Sequence, residues 1–308
     1  MERWDSLVRT SINGTLFHMR RFLQYHDDKF TEYERWLVAL DGDAPYAQIV
    51  LTVCREGDVL VARSPYGASY GGFVFQQLPT YRAGQSLVSA FYLWLEEHGI
   101  QVCILQQPIS CCSAYNLDTF IFNLMEKDFR IVKRDVSSVV RLQAGLPVVS
   151  SRARNMVRKA EKNGLKVVRN AELDLFWHVV EKTFEKHGAN PTHTKTELAG
   201  LIKRFPDRIR LSVAIIDTIP VSGICEFVIN KCVNSSFYLC QDPAYQRFQG
   251  LSMLVLNALG QSEKDGYLYY DFGTSTANMQ AGPNIFCFKE SFGAEGYFRD
   301  TLQWRYGI

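Results

Sequence analysis

Tyr245-Gln246-Arg247-Phe248-Gln249-Gly250-Leu251-Ser252 is the stretch on which the reading of this chain turns. It lies between a strand-like segment, Ser235 to Leu239, and a helical run with apolar residues at Met253, Leu254, Leu256 and Leu259. A strand, a short basic turn with a glycine and a helix form a ready anion site. The first amides of a helix have no partner inside it, and the aligned peptide dipoles place about half a positive charge there. Gly250 allows close backbone approach, and Arg247 supplies a charged fork suited to phosphate. With Phe248, Gln249, Leu251 and Ser252 they make a candidate loop for a phosphorylated cofactor.

A second strand follows the helix, Tyr267 to Phe272, and then Phe288-Lys289-Glu290-Ser291-Phe292-Gly293. Arg247-x-x-Gly250-x-Ser252 between strand and helix resembles the pyrophosphate loop of the GNAT acyltransferases, with Ser at a position that is usually Gly or Ala. Tyr270-Asp271-Phe272-Gly273 followed by Phe288-Lys289-Glu290-x-Phe292-Gly293 resembles the FemABX peptidyltransferases, which are tandem GNAT-like proteins. The loop alone is a weak signal. The three motifs in this order are a stronger one.

Composition sets the outer bounds. The chain of 308 residues is 47% hydrophobic and 21% charged, ordinary for a soluble globular protein of one large or two medium domains. A formal net charge of +2 argues against a general nucleic-acid coat and leaves room for a local basic patch. Met1 to Asp5 does not open a signal peptide, and no apolar run is long enough to span a bilayer, so the expected location is the cytoplasm. The 8 cysteines are scattered without a Cys-x-x-Cys pair and read as reduced, buried small hydrophobes.

In chain order, residues 1–30 read as helical, with Leu16, Met19, Phe22 and Leu23 on one face. A hairpin follows, Trp36 to Leu40 and Tyr46 to Val53 around Asp41-Gly42-Asp43. Then come a strand from Val59, a helix from Ser86 to His98, a strand from Ile100 to Leu105, a helix from Leu117 and a strand from Ser137. The second half repeats the order: a hairpin over 209–229, the Ser235 strand, the loop, the Met253 helix and the Tyr267 strand. A duplicated unit accounts for this better than one large sheet. The expected fold class is therefore α/β (α+β): two GNAT-like domains, each a mixed central sheet flanked by helices. The expected domains are 1–146, lacking the phosphate loop, and 147–308, carrying the acyl donor, with the break where Gly145 and Pro147 interrupt the pattern.

Candidate site residues follow from chemistry and from the resemblance. Lys289 matches a FemABX lysine that the resemblance implicates in steadying charge during acyl transfer; a Lys289–Glu290 surface pair is the plain alternative. Asp271 could orient the acceptor amine or take its proton, and could equally cap the following turn. Glu226 is a candidate base because GNAT enzymes often place a carboxylate there. Tyr238 is a candidate acid for the leaving thiolate, against a plain core role. Arg154 and Arg158 lie one turn apart on a helix that opens the second domain, either as a solvated face or as a phosphate site. Tyr70 and His193 are candidates for the acceptor wall, against a tight bend at Tyr70 and a structural role for His193.

The resemblance implies an N-acyltransferase that uses acetyl-CoA or another acyl-CoA, without metal or covalent intermediate. The acceptor amine would enter a cleft between the domains. An amino sugar or nucleotide-linked sugar of surface-polysaccharide synthesis is the expected acceptor. Two alternatives stand beside it: a charged tRNA as donor, as in FemX-like aminoacyl transfer, and a GNAT scaffold that binds a ligand without turnover. Oligomeric state is not legible.

Overall fold

The computed structural model describes residues 2–26, 29–143 and 145–307. Its elements begin with α1 (Glu2–Thr10), α2 (Arg20–Leu23), β1 (Glu34–Asp41), β2 (Ala44–Glu56), β3 (Val59–Arg63), β4 (Val74–Phe75), α3 (Tyr81–Glu97), β5 (Val102–Gln106), α4 (Asp118–Glu126) and β6 (Arg130–Arg141). They continue with α5 (Ser151–Lys162), β7 (Lys166–Arg169), α6 (Leu173–His187), α7 (Lys195–Arg204), β8 (Ile209–Ile216), β9 (Ile219–Val228), β10 (Val233–Gln241), α8 (Gly250–Lys264), β11 (Tyr269–Thr274), β12 (Thr276–Ala277), β13 (Gln280–Ala281), α9 (Pro283–Glu290) and β14 (Glu295–Arg305).

Two compact units emerge. The first comprises Met1–Val136, Asn278–Gln280 and Tyr297–Ile308; the second comprises Ser137–Ala277 and Ala281–Gly296. The partition falls inside β6, upstream of Gly145 and Pro147, and residue 144 lies outside the described residues.

In the first unit the strand order is β1-β2-β3-β5-β14, with β4 on β2; β3 and β5 are parallel and the other pairs antiparallel. The core forms because α3 carries Leu87, Val88, Phe91 and Leu95 at helical spacing, all buried against Phe73, Phe75 and Trp304. The helical reading of 1–30 holds only in part. After α1 the chain breaks at Asn13, whose side-chain amide donates to the Phe73 carbonyl (2.7 Å) and accepts from the Phe75 N–H (2.8 Å). Those bonds hold the backbone outside a helix. Only single turns follow, although Leu16, Met19, Phe22 and Leu23 are all buried as their spacing suggested.

In the second unit the order is β6-β11-β10-β9-β8-β7, with only β10 and β11 parallel. Helix α8 makes the crossover between them and buries Leu254, Val255, Ala258 and Leu259. Gly250, the first residue of α8, sits hard against the sheet. A Cβ there would lie 2.6 Å from Ser222 Oγ and 3.0 Å from Leu165 Cδ2. Glycine is therefore needed at this point to seat the helix on β9, rather than only to admit a ligand. Each unit is thus a mixed sheet flanked by helices. The sequence reading had passed over α6 and α7, although Gly188 closes α6 and a Thr194/Glu197 capping box opens α7.

Candidate active site

The β10–β11 ladder ends early. Parallel pairing runs Val233↔Tyr269, Asn234↔Tyr270 and Ser235↔Asp271, then stops. One residue further along, β10 carries a bulge: Ser236 faces Glu226 and Tyr238 faces Cys225, so Phe237 is the extra residue. The strands part here, and a cavity of about 850 Å³ opens in the second unit. Its walls come from β10 (Ser236, Phe237, Leu239, Gln241), the head of α8 (Gln249, Leu251, Ser252), α5 (Arg152, Met156), α6 (Lys186) and α9 (Ile285, Phe288, Lys289). The first unit differs at the corresponding pair. Beyond β3, Ser64 donates its N–H to the Ile104 carbonyl and Gly71 to the Gln106 carbonyl, both at 2.9 Å, so residues 64–71 stay bound along β5.

The two crossover helices also differ at their heads. The Thr80 side chain accepts from the Ala83 N–H and caps α3. At α8 the cap residue is Gln249, in the left-handed region at φ 64°, with no side-chain cap. Gln241 reaches in, its Oε1 accepting from Leu251 N–H at 3.3 Å and from Ser222 Oγ at 2.9 Å. The positive end of α8 therefore faces the cavity.

Lys289 is the buried cation of the wall, whereas Arg152 and Lys186 are exposed. Pro283 opens α9 at its first position, and Ile285, Phe288 and Lys289, at i, i+3 and i+4, share the face that meets the cavity. Lys289 is 4% exposed and donates from Nζ to the carbonyls of Gly273 (2.9 Å) and Thr274 (2.8 Å). An ammonium has three N–H groups. Among the described residues nothing takes the third. Burial lowers the Lys289 pKa to about 8, against the nearby Asp271 charge, which favours the cation. Phe292 belongs to the core, and Gly293 packs against Pro147, where a Cβ would come within 2.6 Å of Pro147 Cβ. One motif thus supplies a structural anchor and a site cation.

The other expected site residues divide. Of the phosphate loop, Gln249, Leu251 and Ser252 line the cavity. The Ser252 hydroxyl donates to Gln249 Oε1 (3.4 Å) and toward Met156 Sδ (3.7 Å). Arg247 is exposed, its guanidinium 4.8 Å from the centre of the Phe248 ring, and Phe248 packs against the hydrophobic core. Asp271 accepts from the Gly273 N–H at 2.7 Å, which is the turn-capping geometry. On α5, Arg154 donates to the Val149 carbonyl and Arg158 is exposed; the stripe that meets the cavity is Arg152 and Met156. Sequence reasoning missed Arg152, Lys186 and Gln241.

Tyr238 and His193 come together, but on the sheet face that carries α6. The Tyr238 hydroxyl accepts from the His193 backbone N–H and lies 3.0 Å from His193 Nδ1. Burial lowers the His193 pKa to about 4 and raises that of Tyr238 well above the usual phenol range. Glu226 sits on the α8 face, where it lines a separate cavity. Tyr70 is a buried residue of the first unit, edge-on to Phe17 with the Arg299 guanidinium 5.2 Å over its ring.

Residues 149–297 match a family model described as an acetyltransferase (GNAT) domain. A crystal structure of FemX superposes with a TM-score of 0.73, at 12% identity, over 99% of this chain and 95% of that one. The chain has a tandem GNAT, FemX-like fold. The C-terminal domain of a putative lysylphosphatidylglycerol synthetase from Agrobacterium fabrum gives 0.65 at 13% identity, over 98% and 90% of the two chains. A tandem GNAT protein from the clavulanic acid biosynthesis pathway gives 0.53 at 12%, over 90% and 84%. No curated protein matches in sequence. The cavity lies wholly within the second GNAT unit, and among the described residues no helix is long and apolar enough to cross a membrane.

Proposed function

We propose that the second GNAT unit transfers an acyl group from acyl-CoA to an amine. The observation that carries this reading is one cavity joining the open head of α8 to the Lys289 ammonium. A pyrophosphate fits the first end: the helix head has no side-chain cap, and Arg152 and Lys186 add charge beside it. When bound, the cofactor supplies an activated thioester carbonyl. An acceptor amine would attack that carbonyl and CoA would leave as the thiol, taking up the proton that the amine loses; the chain's part would be to hold the pyrophosphate and to steady the negative charge that develops on the carbonyl oxygen. Lys289 holds its third N–H toward that chemistry, fixed in place by the Gly273 and Thr274 carbonyls. Arg152 and Lys186 replace Arg247 as the proposed phosphate cations. The acceptor class proposed is a primary amine; the amino-sugar expectation rests on the resemblance.

An aminoacyl-tRNA donor is the second reading, favoured by α5. Arg152, Arg154, Arg158, Lys159 and Lys162 are exposed along this helix, and Arg152 continues into the cavity. Thiol release from acetyl-CoA, followed across a set of primary amines, separates the two. Amine-dependent release with a mass-confirmed amide supports the first; transfer only from charged tRNA supports the second. A protein that does neither is a binding scaffold.

A further inference from the structure

Acyl transfer leaves a second cavity of the same unit unused, about 410 Å³, over the C-terminal half of α8. Its wall is stiffened by one chain of bonds along a single helix face. Arg169 donates to Asn257 Oδ1 (2.8 Å) and Gln261 Oε1 (2.5 Å), Gln261 donates to Asp265 Oδ1 (2.7 Å), and Arg210 pairs with Asp265 Oδ2. A guanidinium has five N–H groups, and Arg169 uses two of them here, both on neutral amides. Among the described residues no carboxylate bonds Arg169 directly; the Asp265 carboxylate acts on it through space. At the floor lies Glu226, 7% exposed, with Oε1 accepting from Asn234 Nδ2 at 2.7 Å. A carboxyl in so dry a place is held at considerable desolvation cost.

We propose that this cavity is a second binding site for an amino-acid-sized zwitterion, its carboxylate on Arg169 and its ammonium beside Glu226. The fixed cation and the buried carboxyl offer both charges to one small ligand. Around Glu226 the charged or titratable groups are Cys225 beside it on β9, Arg210 on β8, Asp265 and Tyr267 after α8 and Tyr270 on β11, with Arg169 and Asp207 on the same cavity wall. Burial raises the Glu226 pKa to about 7, so near neutral pH part of the protein carries it protonated. An ammonium beside it favours the carboxylate, and binding then releases a proton.

The test is calorimetric titration of the whole protein at pH 7 with L-alanine, L-glutamate and L-lysine, in two buffers of different ionisation heat, with acetate and methylamine as single-charge controls. The expected result is binding of at least one amino acid with proton release. Binding should weaken about ten-fold or more in both Glu226→Gln and Arg169→Gln, and the proton release should vanish in Glu226→Gln. Both substitutions keep a polar side chain, and Arg169 is exposed. No binding of any of the three, acetate or methylamine binding as tightly, or binding unchanged in the variants would overturn the proposal.

Discussion

Lys289 donates an Nζ hydrogen bond to the carbonyl oxygen of Gly273 at 2.9 Å, and a second to Thr274 at 2.8 Å. The end of β11 therefore clamps the ammonium at the cavity wall, and among the described residues nothing takes its third N–H. Replacing Lys289 with Met keeps the apolar stem and removes the charge. We expect kcat/KM for acyl transfer to fall about 10²–10³-fold. The melting temperature should change little, because relief of the buried cation, at most roughly 3 kcal/mol from its displaced pKa, is opposed by the two carbonyls that lose their donor, at about 1–3 kcal/mol each. A variant that melts far lower while the surviving protein transfers at the wild-type rate would make Lys289 a structural residue.

The same group fixes a pH limb. Lys289 titrates near 8 in the folded protein, below the free lysine value of 10.5, so its ammonium is lost as pH rises through 8. Activity that depends on the cation should decline above that point. In Lys289→Arg, whose charge does not titrate in this range, the surviving activity should lose the limb. Rate profiles from pH 6 to about 10 with an acceptor of low amine pKa check this.

Glu226 acts on stability rather than on rate. Its pKa is raised above the usual carboxyl value of 4.5 to about 7, so between those pH values the folded state holds more protons than the unfolded chain. Stability is then greatest below 4.5 as far as this group is concerned and falls as pH rises through 7. Glu226→Gln should remove that slope and be more stable than wild type at pH 8, by up to about 3 kcal/mol. Urea unfolding at pH 5 and pH 8 gives the comparison.

Gly250 tests the packing of α8. Alanine is favoured over glycine inside a helix by about 1 kcal/mol. Here, though, its methyl would meet Ser222 Oγ at 2.6 Å and Ala214 Cβ at 3.3 Å. Overpacking of this kind costs about 1–3 kcal/mol, so the net effect of Gly250→Ala should be destabilising. A rise in melting temperature would show that the helix can lift without loss.

Much of this architecture was legible because short motifs carry fixed geometry. Phe288-Lys289-x-x-Phe292-Gly293 could be read because a helical turn sets Lys289 beside Phe288 and the terminal glycine must pack closely, here on Pro147. The basic helix α5 was harder. Its cations alternate at 152, 154 and 158, and only the buried stripe of Ala153, Val157 and Ala160 decides which of them turns inward. Arg152 with Met156 was the stripe to choose, since an apolar partner at i+4 marks a half-buried edge. Glu226 and Tyr238 could not have been sorted from the sequence. The bulge at Phe237 shifts the register of β10 against β9, and that shift depends on pairing between strands rather than on any local signal.

The most direct measurement is calorimetric titration of wild type, Arg152→Ala and Arg247→Ala with acetyl-CoA and free CoA. We expect micromolar binding that Arg152→Ala weakens about ten-fold and Arg247→Ala leaves nearly unchanged. No binding of either ligand by the wild type would contradict the assignment of acyl-CoA to the head of α8.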